Sequence, residues 1–354
     1  MEFHMESDPK KVFADNLKRA RAIQCITLKQ LVQKVRQMDG SISPASLSYY
    51  ENGKRYPSSA HLLALSRALD LPMDFFANPV VSPLEPQALS FRKLASTRKC
   101  VQESVAARAQ DALRRWREAM ALSETGIPQV TKSRPVAIRT PEDAEAAARS
   151  LREDWELGVD PISDVVGLLE RNGIVVLSFA MPASVSGFCG KWEDLSFVGC
   201  NSIHPAFRRR STLLHEIAHL LFSCEDEKLA QRFAGAFLLP AESFLEVWGA
   251  VRRRCPYDEE LLGLKKTFGA SMSSIVLRAS QLGRLSASQA KWFFIRHPRK
   301  VPEPGDDSKE FLEIPVLFRL RVFSLLREER ITLSKGAALL GESIGSLRAS
   351  LVAK

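Results

Sequence analysis

Residues 213–221 read Leu213-Leu214-His215-Glu216-Ile217-Ala218-His219-Leu220-Leu221. The apolar residues recur at helical spacing, which predicts a buried helix carrying three ionisable side chains. His215 and His219 stand one turn apart on the same helical face. Two imidazoles so placed can point at one zinc ion, each nitrogen about 2.0–2.1 Å from it. Glu216 lies beside them, placed to reach a water at such an ion rather than the ion itself. That is where a general base for hydrolysis is needed. The bland alternative is a pair of core histidines with ordinary hydrogen bonds. It leaves unexplained why so apolar a helix carries two imidazoles and a carboxylate, since buried polar groups cost free energy unless something satisfies them.

Catalytic zinc usually takes three protein ligands and a water. The next helical pattern opens Glu225-Asp226-Glu227-Lys228-Leu229-Ala230. Acidic residues there also suit the positive end of a helix dipole. A helix that follows directly can nevertheless return antiparallel and aim a carboxylate at the ion. Glu225 and Glu227 are both candidates, and the Cys224 thiol is a weaker one.

The stretch 209–240, RRSTLLHEIAHLLFSCEDEKLAQRFAGAFLLP, resembles the core of the ImmA/IrrE family of metallo-endopeptidases. An arginine and a threonine precede HExxH in that family. A second helix there carries Glu-x-x-Ala-(Asn/Asp)-x-Phe-Ala and ends in a Leu-Leu/Met-Pro. Glu227 to Ala234 fits this pattern, with Gln231 in place of Asn or Asp. The resemblance therefore implies Zn2+ held by His215, His219 and Glu227, with Glu216 as the catalytic base, and hydrolysis of a peptide bond. It reaches upstream through Leu151, Trp155, Gly158, Pro161, Leu169 and Gly173, and downstream to about residue 285. It also implies that Arg209 or Arg210 braces the metal helix. His204, on a loop before this helix, is a candidate oxyanion donor.

Nearer the N-terminus, Phe13, Leu17, Ala20 and Ile23 fall at helical spacing, as do Leu28, Leu31, Val32 and Val35 behind an N-cap at Thr27. Ser43-Pro44 reads as a cap followed by proline at the first helical position, opening a short helix to Glu51. Asn52-Gly53 stops it, and a further helix spans about 59–69. Residues 13–76 resemble the XRE family of helix-turn-helix domains, above all in Leu47-Ser48-x-Tyr50-Glu51-Asn52-Gly53-Lys54-Arg55-x-Pro57-Ser58. The resemblance implies that the helix from Ser43 enters the major groove of double-stranded DNA. Ser43, Pro44, Ala45, Ser46, Ser48 and Tyr49 are then the base-facing candidates, and Lys54 and Arg55 the phosphate contacts. Leu28 stands where the family usually has Gln, so one customary DNA contact is missing.

The expected organisation is an XRE-like domain over 1–80, a linker and long charged helix over 81–140, the zinc peptidase domain over 141–300 and a helical tail over 301–354. Strands are expected at Ile174–Leu177 and Leu195–Cys200, and a charged helix over 91–122. The fold class is α+β and mainly helical: an N-terminal helix-turn-helix bundle, a small zincin-like metallopeptidase domain and a helical C-terminal tail. Ile331 to Gly341 resembles a further short helix-turn-helix fragment, which equally suits packing or dimerisation.

The net charge of +9 favours a polyanionic partner. No apolar run is long enough to span a bilayer, and the first residues lack a signal-peptide pattern. Six scattered cysteines without a CxxC pair are expected to be reduced thiols in the cytoplasm. The expected protein is a DNA-binding regulator with a zinc-dependent endopeptidase domain, a homodimer that cleaves a repressor or partner protein and has no membrane contact. The rival is a non-enzymatic, antitoxin-like regulator that uses the peptidase fold as a sensor or dimerisation scaffold. A purely structural zinc site is weaker, because a closed site needs four protein ligands.

Overall fold

The computed structural model describes residues 8–38, 40–79, 83–84, 89–91, 98–123, 130, 137–249, 256–298, 303–304 and 313–352. The architecture is α+β and mainly helical, and the chain divides into two compact units. None of the described helices is long and apolar enough to cross a membrane.

The first unit draws on residues 1–88, 94–126 and 318–354. It opens with α1 (Pro9–Gln24), α2 (Leu28–Gln37), α3 (Pro44–Glu51) and α4 (Ser59–Leu69). The local sequence explains these boundaries. Thr27 and Gln30 form a reciprocal capping box at the start of α2. The Ser43 hydroxyl accepts the Ser46 N–H at 3.0 Å, and Pro44 occupies the first turn of α3. Phe13, Leu17, Leu31, Val35, Leu47, Leu65 and Phe76 close one apolar core beneath the four helices. An Arg21–Glu51 ion pair ties α1 to the end of α3.

Of the charged helix expected over 91–122, the described residues show α5 (Lys99–Leu122), while Ser90–Phe91 form a strand. Helix α5 joins α14 (Leu317–Arg327) and α15 (Leu333–Leu340) through Ala119, Val322, Leu325 and Leu339, and α16 (Ile344–Val352) follows α15. The expectation that all cysteines are reduced is overturned at one pair: Cys25 and Cys100 form a disulfide. Their Cα atoms are 5.5 Å apart, within disulfide range. They meet because the left-handed C-cap at Cys25 turns the end of α1 to the first turn of α5.

The second unit draws on residues 89–93 and 127–317. It contains β1 (Ser90–Phe91), α6 (Pro141–Asp154), α7 (Val165–Arg171), β2 (Ile174–Phe179), β3 (Gly187–Trp192) and β4 (Leu195–Asn201). Then follow α8 (Ala206–Leu221), α9 (Glu227–Leu238), α10 (Ala241–Trp248), α11 (Asp258–Phe268), α12 (Met272–Gln281) and α13 (Ala287–Arg296). The sheet order is β1-β3-β4-β2. β2 runs parallel to β4, while β3 is antiparallel to both β4 and β1. β4 is buried at every position, as an inner strand should be. Its Gly199 leaves room for the Phe188 ring of β3, whose tip would lie 2.1 Å from a Cβ there. The main core runs from Val165, Leu169, Ile174 and Val198 through Leu213, Leu214 and Ile217 to Phe233, Phe237, Phe244 and Trp248.

Glu170 on α7 is buried, and burial pushes its carboxyl up to about 7, although the Leu317 N–H at 3.3 Å works the other way. An ordinary Glu titrates near 4.5 in the unfolded chain. Below that pH both states are protonated, and above 7 only the native state holds the charge out of water. Native stability should therefore fall as pH rises across this window, by about 3 kcal/mol. In urea titrations at pH 5 and pH 8, Glu170→Gln should lack this loss. An identical pH dependence in wild type and variant would refute the assignment.

Candidate metal centre

Helix α8 is fixed before it presents any chemistry. Arg210, fully buried, donates to the Ser163 carbonyl at 3.2 Å and to the Ile162 carbonyl, and pairs with Glu313. Of the two arginines expected to brace this helix, Arg210 makes these contacts. Arg208 reaches the Ser186 hydroxyl at 3.0 Å, linking the first turn to the approach of β3. Leu213, Leu214, Ile217 and Ala218 then face the core. His215 and Glu216 are buried, and His219 is half-buried at the helix end.

The ligand atoms of His215, His219 and Glu227 converge within 4.8 Å of one another. The two Nε2 atoms are 3.1 Å apart; Glu227 Oε2 lies 3.4 Å from one and Oε1 3.6 Å from the other. Tetrahedral zinc with bonds of about 2.0–2.1 Å would separate its ligands by about 3.3 Å, so the spacing fits the ion. The tautomer of His219 fits too. Its Nδ1 lies 2.7 Å from the Cys224 carbonyl, which can only accept, so Nδ1 carries the proton and Nε2 keeps its lone pair. The Ile138 N–H binds the Ser223 carbonyl at 3.2 Å and steadies this loop.

Glu227 owes its position to a cap. Asp226 accepts the N–H groups of Lys228 at 2.6 Å and Leu229 at 3.3 Å, so α9 starts at Glu227 and aims its carboxylate toward α8. Glu225 is not part of the convergent group, nor is the Cys224 sulfur. Burial, with Asp226 nearby, pushes the Cys224 thiol up. His204 is buried outside the cluster. Burial and Arg208 lower its imidazole to about 4, so it is neutral at physiological pH.

Two features of the surroundings escaped the sequence reading. A Cβ on Gly187 would stand 3.0 Å from Glu216 Oε1 and 2.4 Å from Thr212 Cγ2, so β3 passes directly against the Glu216 carboxylate. Asn201, fully buried at the end of β4, accepts the Met181 N–H at 2.9 Å and donates to the carbonyls of Met181, Pro182 and Val185. It thereby fixes the loop that delivers β3. Neither carries a local pattern; only the pairing of distant strands gives them their roles.

In the first unit, Ser43, Pro44 and Ala45 are exposed at the start of α3, with Ser46 and Ser48 half-buried behind them. Tyr49 is exposed, and both Lys54 and Arg55 lie 5.9 Å from its ring centroid, making a basic and aromatic ridge. Leu28 packs against the apolar core, as its side chain requires.

Comparison with protein-family models matches residues 169–280 to the IrrE N-terminal-like domain, a peptidase family, and residues 17–76 to a helix-turn-helix domain. Neither the curated proteins nor the solved structures contain a significant match. The first match spans β2 through the HExxH helix and Glu227 to α12, and the second spans α1 to the turn after α4. The chain is thus a fusion of an XRE-type helix-turn-helix domain with a metallopeptidase-like domain of the ImmA/IrrE type.

Proposed function

We propose that this protein is a DNA-binding transcription regulator whose second unit is a zinc-dependent endopeptidase acting on a repressor or partner protein. The carrying observation is the approach of His215, His219 and Glu227 to within ligand spacing beside the buried Glu216. When bound there, zinc would supply Lewis-acid polarisation of a peptide carbonyl and of water. Glu216 takes a proton from the attacking water and passes it to the leaving amide nitrogen. His219, held by the Cys224 carbonyl, keeps its ring oriented throughout. In this reading residues 1–80 recognise DNA and residues 141–300 carry out hydrolysis, in the cytoplasm and as a homodimer. Expressing wild type and Glu216→Gln in cells and following the products of neighbouring genes tests the activity. Indistinguishable cleavage patterns would favour the non-enzymatic regulator.

For DNA, the proposal assigns Ser43, Pro44, Ala45, Ser46, Ser48 and Tyr49 to the groove and Lys54 and Arg55 to phosphates. The support is the exposed start of α3 and the basic ridge over Tyr49. Full-length protein should select a duplex from a random pool, with affinity falling steeply as salt rises. Lys54→Ala should weaken binding to all sequences and reduce the salt slope by about 1. A variant slope equal to wild type would remove Lys54 from the phosphate contacts.

A further inference from the structure

We propose that β1 (Ser90–Phe91), anchored by Leu89, is a resident strand that occupies, in cis, the edge of β3 on which a peptide must lie to be cleaved. The inference rests on the endopeptidase reading above and adds to it a built-in competitor for the substrate.

β3 pairs with β4 along its whole length, from Gly187 opposite Cys200 to Trp192 opposite Leu195. Its other edge is the one that can accept a further chain. β1 takes that edge antiparallel, with Ser90 opposite Cys189 and Phe91 opposite Phe188. Leu89, next to it, is buried and anchors the segment. Gly187, the residue before Phe188, is the point at which β3 touches Glu216. From ordinary strand rise and spacing, the Phe91 backbone lies about 6 Å from that point. β1 therefore occupies the strip nearest the base.

An endopeptidase must hold its substrate extended, and main-chain pairing to a sheet edge does so whatever the side chains are. An uncovered edge is also a site of unwanted pairing. A strand of two residues covers the edge only at Phe188 and Cys189, next to Gly187, and makes few main-chain bonds to give up. The segment is flanked in sequence on both sides by residues of the first compact unit, so its strand is a short excursion of the chain into the second. A peptide substrate then binds only the fraction of molecules in which β1 has left, which raises its apparent dissociation constant by the reciprocal of that fraction.

The test compares zinc-loaded full-length wild type with Ser90→Pro, which puts a proline inside the two-residue strand, and with Leu89→Asp, which removes the anchor. The probe is a quenched fluorogenic pool of random decapeptides. Both variants should lower KM at least about fivefold with kcat within about twofold, the signature of a lost internal competitor. An unchanged or raised KM in both would overturn the proposal. Amide hydrogen exchange over residues 187–192 gives a reading independent of turnover. It should speed up in both variants if β1 covers that edge, and equal protection would overturn the occupancy. If no form cleaves peptides while exchange does speed up, the endopeptidase reading fails and the edge strand stands.

Discussion

Glu216→Gln is expected to lower peptide hydrolysis by a factor of about 10²–10⁴ while leaving about one zinc bound per chain. Glutamine has nearly the same shape as glutamate and suits the same buried site beside β3, but it cannot take a proton at neutral pH. The three ligand atoms belong to other residues, so the ion should stay. His215→Ala is expected to do the opposite in order of cause: it removes a ligand, the metal is lost, and activity goes with it. Elemental analysis of carefully purified protein, paired with cleavage assays, separates the two. A wild type that holds no zinc would defeat the reading outright. A Glu216→Gln variant that retains full turnover would leave the ion in place but move the base elsewhere.

Much of this site was legible because its geometry is local. His215 and His219 need only one helical turn between them, and Ser43-Pro44 announces the start of α3 through capping chemistry alone. Glu227 followed from resemblance, and the structure supplies its physical reason in the Asp226 cap. β3 was missed because GFCGKW contains two glycines and a lysine and lacks a β-branched run. It is a strand because β4 pairs with it. β1 has no signal of its own: it is two residues long, and the charged helix expected over 91–122 takes in Phe91, while α5 begins at Lys99. The disulfide was invisible for a similar reason: Cys25 and Cys100 are 75 residues apart, and nothing in either flank points to the other. Propensity describes a residue and its neighbours in sequence, whereas an edge strand or a cross-link is made by a partner elsewhere in the chain.

Glu313→Ala is expected to destabilise the second unit by about 3–5 kcal/mol, because it strands a buried guanidinium. Glu313 accepts the N–H groups of Val165 at 3.2 Å and Val166 at 2.9 Å, at the start of α7, and pairs with Arg210 of α8. Neither charged side chain has contact with solvent to fall back on. Gly269, in a left-handed conformation at φ +62°, makes the space: a Cβ there would lie 2.8 Å from the Arg210 Cζ. Burial lowers the affinity of Arg210 for its proton, and the Glu313 carboxylate acts against that. Removing both charges in Arg210→Met/Glu313→Leu should cost less than the two single losses added together, since no unpaired charge is then left inside. Urea unfolding of wild type, Arg210→Met, Glu313→Leu and the double variant measures the difference. Additive losses would mean that the two groups act independently and that the pair does not lock α7 to α8. If the lock is real, Glu313→Ala should also weaken zinc binding, because the helix that carries His215 and His219 loses its clamp one turn before the first ligand.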